Sequence, residues 1–173
     1  MSAPVVIETK RLILRPHVAA DWDAVCALWS NADVIHFISD RPFSREESWT
    51  KLLRYMGLWT ALGFGYFAVI DKATQKFIGE IGLADFHRNI TPSLEGTAEM
   101  GWVLMPDIWR KGIASEAIMA ILEWYSQTLK PRPVTCIIDK DNVASVNLAQ
   151  KCGFQEITRT PYKDSETITF RLA

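Results

Sequence analysis

The residues best placed to do chemistry lie between Met100 and Ala117, where a strand pattern through Leu104 gives way to a turn and then to a helix. Gly112 and Ala114 leave backbone N–H groups uncovered at that helix start, and Arg110 and Lys111 set two cations beside them. Unpaired donors and the positive end of a helix dipole favour an anion there. A diphosphate, which needs several converging donors more than any one side chain, suits the site. A glycine that merely permits a turn between two solvated charges is the better reading of an isolated match. Four coincident features at one strand-to-helix junction weigh against it.

The rest of the chain offers little competing chemistry. Cys26, Cys136 and Cys152 show no CxxC spacing, and His17, His36 and His87 are equally scattered, so neither a disulfide framework nor a metal site is expected. Nineteen Lys and Arg against twenty Asp and Glu give a net charge of −1, so no global field attracts the chain to nucleic acid or anionic membrane. No stretch approaches the roughly 20 apolar residues of a membrane span and no leader pattern opens the chain, so a cytoplasmic protein is expected. Gly63-Phe64-Gly65-Tyr66-Phe67-Ala68 matches the loose GxGxxG/A nucleotide pattern, but a helix pattern precedes it and a strand pattern follows. That order is the reverse of a nucleotide-binding turn.

The elements that must position the turn can be read from periodicity. In 173 residues without linker, repeat or charge run, one domain over 1–173 is expected. Val5 to Arg15 reads as a first strand ending at Pro16, and Asp21-Trp22-Asp23 opens a helix. Ser44 and Glu47 form a capping box for a second helix whose apolar face includes Trp49, Leu52, Leu53 and Met56. Tyr66–Ile70, Phe77–Leu83 and Ala98–Leu104 read as consecutive strands, joined by the Asp71–Lys76 turn and the longer Arg88–Gly96 loop. Ala114, Ala117, Ile118, Ile121, Leu122 and Tyr125 form a buried helical face, which Pro131-Arg132-Pro133 stops. A strand at Val134–Ile138, a helix at Asn142–Lys151 and strands at Phe154–Thr158 and Thr167–Leu172 complete the chain. The fold class is α/β (α+β), with a mixed sheet of about seven strands and helices on both faces.

Trp109-Arg110-Lys111-Gly112-Ile113-Ala114-Ser115-Glu116-Ala117 resembles the acyl-CoA motif of the GNAT N-acetyltransferases, Gln/Arg-x-x-Gly-x-Gly/Ala, in its RimJ/RimL-type variant. Glu99 to Leu104 is similar to that branch's preceding strand, Asn142-Val143-Ala144-Ser145-Val146-Asn147 with Gly153-Phe154 to its second signature, and Thr9 to Arg15 to its opening. The resemblance spans nearly the whole chain. It implies a mostly antiparallel sheet that splays beside Leu104, acetyl-CoA as donor, and a diphosphate on the turn that Trp109 opens, at the amides of Arg110, Lys111, Gly112, Ile113 and Ala114. It also implies a pantetheine arm paired with backbone at Val103 and Leu104 and held by Asn142, with Ser145 close by. Asn142 capping its own helix is an equal reading.

The resemblance further implies Glu99 as the base, acting through water, which requires the strand side shared by Glu99, Gly101 and Val103 to open onto the acceptor. The family's usual Tyr or Ser acid, about seven residues beyond Asn142, is Ala149 here. Protonation of the thiolate then falls to water, to Tyr162 or to another residue. No acyl-enzyme nucleophile is expected, because neither Cys nor Ser has a His partner at recognisable spacing. The acceptor is a primary amine, with a protein N-terminal α-amine favoured over small amines, polyamines and aminoglycosides, and an inactive acyl-CoA-binding module is the rival from another class. Acceptor choice is expected from Phe37–Phe43, Trp59–Phe64, Phe86–Gly96 and Pro161–Glu166, and from the acids Glu46, Glu47, Asp85 and Glu95. A monomer or homodimer is expected.

Overall fold

The computed structural model describes residues 4–130 and 132–173; of the expected Pro131 helix stop, nothing further follows because that residue lies outside them. The opening apolar stretch folds back on itself instead of running as one strand. β1 (Ile7–Glu8) pairs antiparallel with β2 (Leu12–Pro16), and Thr9 and Arg11 between them reach a distant carboxylate, Glu116. The sheet therefore has eight strands where about seven were expected.

α1 (Trp22–Ser30) and the short α2 (Ala32–Ile35) precede α3 (Arg45–Leu62). The capping box that starts α3 is reciprocal: Glu47 N–H donates to Ser44 Oγ at 3.1 Å and Ser44 N–H to Glu47 Oε2 at 2.8 Å. Its buried stripe is Ser48, Leu52, Tyr55 and Leu58, whereas Trp49 and Leu53, expected inside, are 36% and 46% exposed. Both stripes have the helical period. Packing against α1 and against Tyr66 of the sheet selects the first, while Trp49 rests edge-on against Trp22 at 5.4 Å.

β3 (Tyr66–Asp71), β4 (Phe77–Ala84) and β5 (Ala98–Leu104) continue the sheet as an antiparallel meander. α4 (Ile113–Thr128), β6 (Val134–Asp139), α5 (Val143–Lys151), β7 (Phe154–Tyr162) and β8 (Ser165–Leu172) follow. The strand order is β1-β2-β3-β4-β5-β6-β8-β7, and every neighbouring pair is antiparallel except β5–β6. That parallel pair holds only at Ala98↔Val134 and Glu99↔Thr135, after which the strands part. α4 and α5 pack one face through Ile113, Ala117, Ile118, Ile121 and Ala149; α1 and α3 cover the other, where Val25, Leu28 and Leu52 gather with Val103 and Phe77 against them.

Candidate active site

The parting of β5 from β6 leaves main-chain groups without a strand partner. Met105 N–H donates to Ile78 O at 2.9 Å, and strand alternation then turns the main chain of Val103 to β4 and that of Trp102 and Leu104 into the gap. Of the two expected backbone partners, Leu104 faces the gap and Val103 does not; Val103 is still among the residues that line it. Leu104 O accepts a 2.8 Å bond from Trp109 Nε1, and Trp102 Nε1 donates to Ser145 Oγ at 3.2 Å, joining β5 to α5. Between them opens a cleft of about 750 Å³, in the range of cofactor sites. Phe37, Ile38 and Trp109, each at least 40% exposed, line this one cleft, an apolar exposure that a bound partner would cover.

At the cleft's end the turn takes the form that Gly112 suggested. Arg110 (φ 61°) and Gly112 (φ 74°) are both left-handed, a combination that aims successive N–H groups into one concavity. Gly112 is the N-cap of α4 and supplies no capping side chain, so the first amides of the helix stay open. The sequence left Arg11 without a role, and the structure supplies one. Its Nη1 donates to Lys111 O at 2.8 Å and its Nε to Glu116 Oε2 at 2.7 Å, while Thr9 Oγ1 donates to Glu116 Oε1 at 2.6 Å. Burial acts to raise the Glu116 carboxyl, but the Thr9 and Arg11 bonds outweigh it and hold that group below its usual range. The one carboxylate in the first turn of α4 is thus neutralised by a cation from another element, and the turn stays positive. The Lys111 ammonium folds back onto Asp107 O at 2.7 Å.

Asn142 satisfies the capping reading directly: its Oδ1 accepts from Ser145 N–H at 3.2 Å. It also lines the cleft together with Ser145. Ala149, at the position of the family's usual acid, is fully buried in the core.

Glu99 lies on the opposite face, 5% exposed, with both oxygens taken by Arg88: Nε at 2.7 Å to Oε2 and Nη2 at 2.7 Å to Oε1. The carboxylate expected as the base is thus paired with Arg88. Arg88 Nη1 reaches on to Tyr162 Oη at 3.4 Å. Beside them the Tyr66 phenol lies across β5 against Gly101, where any Cβ would collide with its hydroxyl. Its ring stacks on Tyr55 at 4.3 Å. Deeper in, fully buried Glu80 accepts from Trp29 Nε1 at 2.6 Å and pairs with His17 Nε2 at 3.0 Å.

Three of the four acids named for the acceptor rim have local partners. Glu47 caps α3 and pairs with Arg41, Asp85 accepts from Gly96 N–H, and Glu95 lies near His87. Trp59, expected in the acceptor wall, is instead packed between Phe67 and Trp124. Lys51 sits 3.9 Å over the Trp29 ring, and burial, reinforced by Arg54, Arg88 and Lys163, pushes it down to about 8. The unfolded chain holds that proton up to an ordinary value near 10.5, so stability rises with pH between about 8 and 10.5 and carries the full penalty below 8. A Lys51→Met variant is expected to be about 1 kcal/mol more stable at pH 7 and to lose that rise, as chemical denaturation at pH 7 and 10 would read out.

Cys26, Cys136 and Cys152 are free and buried, and burial raises the Cys136 and Cys152 thiols, the reverse of what a nucleophile needs. Among the described residues no cluster of metal-ligating side chains forms and no helix is long and apolar enough to cross a membrane.

A mixed sheet splayed at its one parallel pair, with a positive left-handed turn at the end of the gap, defines an acyltransferase of the GNAT type. Residues 11–155 match the acetyltransferase (GNAT) domain family, and the chain belongs to that family. It is 30% identical over 155 residues to the uncharacterized N-acetyltransferase YoaA of Bacillus subtilis (strain 168), covering 87% of this chain and 83% of that one. A GnaT-family acetyltransferase from Bordetella pertussis shares the fold at a TM-score of 0.89, with 24% identity over 98% of this chain and 99% of that one. RimL, a ribosomal L7/L12 alpha-N-protein acetyltransferase, does so at 0.79, with 17% identity over 98% and 94%. The GNAT resemblance and the GNAT fold therefore hold, and the protein is an acyltransferase.

Proposed function

We propose that the protein is a cytoplasmic N-acetyltransferase that moves acetyl directly from acetyl-CoA to a primary amine, a protein N-terminal α-amine being favoured. The observation that carries this is the gap beyond Glu99↔Thr135, with unpaired main chain along one wall and the Arg110–Gly112 turn at its end. The residues fit the coenzyme: the open amides from Gly112 to Ala114, with Arg110 and Arg11 beside them, receive the diphosphate. Leu104 and Asn142 receive the pantetheine arm, and Trp109, Phe37 and Ile38 cover apolar parts. Acetyl-CoA supplies an activated thioester.

An α-amine with a pKa near 8 costs only about 1.4 kcal/mol to deprotonate at neutral pH, so water suffices as base. Glu99 then acts as a positioning residue that holds Arg88. In Glu99→Gln, kcat/KM is expected to fall about tenfold with its rise with pH preserved, because the amine itself titrates. A variant that loses one limb of the pH profile would restore Glu99 as proton acceptor. The overall reading is tested by thiol release from acetyl-CoA across N-terminal peptides, amino acids, polyamines and aminoglycosides; tight CoA binding with no turnover on any amine would make the chain a binding module instead.

A further inference from the structure

On the face of the sheet that carries Glu99, four cations converge on a small set of rings. Arg54 Cζ lies 4.2 Å and Arg88 Cζ 4.7 Å over Phe86; Arg88 Cζ and Lys163 Nζ lie 6.0 and 5.6 Å over Tyr162; Lys51 Nζ lies 5.3 Å over Tyr55. Among the described residues the one carboxylate in ion-pair contact with any of the four is Glu99, which takes Arg88. Glu80, the other nearby acid, is fully buried and bound by Trp29 and His17. Arg54 and Lys163 thus stand without an ion-pair partner in one aromatic corner beside Lys51, which the Glu80 charge favours and the charges of Arg54, Arg88 and Lys163 depress. Such crowding costs stability, and an incoming anion relieves it.

The corner adjoins the point where transfer would occur. Glu99, which Arg88 grips, is the last residue of β5 paired with β6, and Tyr66 lies across Gly101 two residues further on. We propose that the acceptor amine carries an anionic group, carboxylate or phosphate, received by Arg54, Lys163 and Lys51 while Phe86 and Tyr162 hold its stem. This rests on the acetyl-transfer reading and names the substrate class within it, setting aside polycationic acceptors, for which the corner is repulsive.

The test compares matched acceptors: an amino acid against its carboxamide, phosphoethanolamine against ethanolamine, peptides with Asp or Lys at the second position, and spermidine. The anionic member of a pair is expected to show at least a tenfold higher kcat/KM, and whether the carboxylate or the phosphate pair shows it identifies the source. Arg54→Gln with Lys163→Gln, both at exposed positions, is expected to raise KM for the anionic member about tenfold and for its neutral match less than twofold, with CoA affinity unchanged. Equal use of both members, or a preference for spermidine, overturns the proposal and leaves acetyl transfer standing. If no amine turns over, acetyl transfer fails, and calorimetry on the CoA-loaded protein still decides this proposal. N-acetyl amino acid binding tenfold tighter than its amide, or N-acetyl phosphoethanolamine than N-acetyl ethanolamine, lost in the double variant, sustains it; equal binding within both pairs overturns it.

Discussion

Gly112→Asp is expected to weaken acetyl-CoA binding about 100-fold. Two effects act together. An aspartate at φ 74° strains the left-handed N-cap of α4, although Asp tolerates that region better than most residues. It also puts a carboxylate where the open amides would meet a diphosphate, and unit charges about 4 Å apart at an effective dielectric near 20 interact by about 4 kcal/mol. Part of that repulsion is offset locally, because the new Cβ would lie 3.5 Å from an Arg11 Nη2 that can turn to the acid. A net loss of about 3 kcal/mol corresponds to the 100-fold change. Calorimetric titration with CoA reads it directly, and an affinity within threefold of wild type would remove the turn from the coenzyme site. The cleft wall at Phe37 and the α5 start are untouched, so the variant separates the turn from the rest of the cleft.

Glu80→Ala is expected to cost about 3–5 kcal/mol of folding stability, the range for a buried polar pair broken from one side. Glu80 is fully buried, and its removal strands the Trp29 indole N–H, donated at 2.6 Å, and the His17 ring nitrogen, paired at 3.0 Å. The other His17 nitrogen already faces Tyr66 O at 3.3 Å, so the ring cannot turn away without losing a second contact. The network ties α1 to β4 and to the end of β2 beneath the acceptor corner. For a chain of this size the loss lowers the melting midpoint by roughly 10 °C. Differential scanning calorimetry tests it, with Glu80→Gln as control because it keeps the volume and one acceptor. A midpoint within 2 °C of wild type in Glu80→Ala would show that the network is not structural. CoA affinity is a separate readout, since Val34, which lines the cleft, packs in one cluster with Trp29.

What could be read from the sequence is what short spans of chain decide. The reciprocal cap at Ser44 and Glu47, the β3–β5 meander, the buried α4 stripe and the strand-turn-helix at Gly112 depend on residues a few positions apart. Alternation likewise put Glu99 and Val103 on one side of β5, where they are. It did not tell which neighbour their main chain meets, and that choice, set by β4, turned Leu104 and not Val103 into the gap.

Tertiary structure alone decided the partners. Arg11 meets Glu116 across 105 positions, and Trp29 and His17 meet Glu80 across 51 and 63; no local pattern marks such pairs, because each side chain alone reads as an ordinary surface charge or core aromatic. The same holds for α3, whose two candidate stripes have equal period until α1 and Tyr66 bury one of them. The chain by itself determined a strand-turn-helix able to hold an anion, because helix ends and glycine conformations are local physics. Only the fold determined that Glu99 pairs with Arg88 and that Arg54, Arg88 and Lys163 gather around Phe86 and Tyr162, because charge acts between groups that packing brings together.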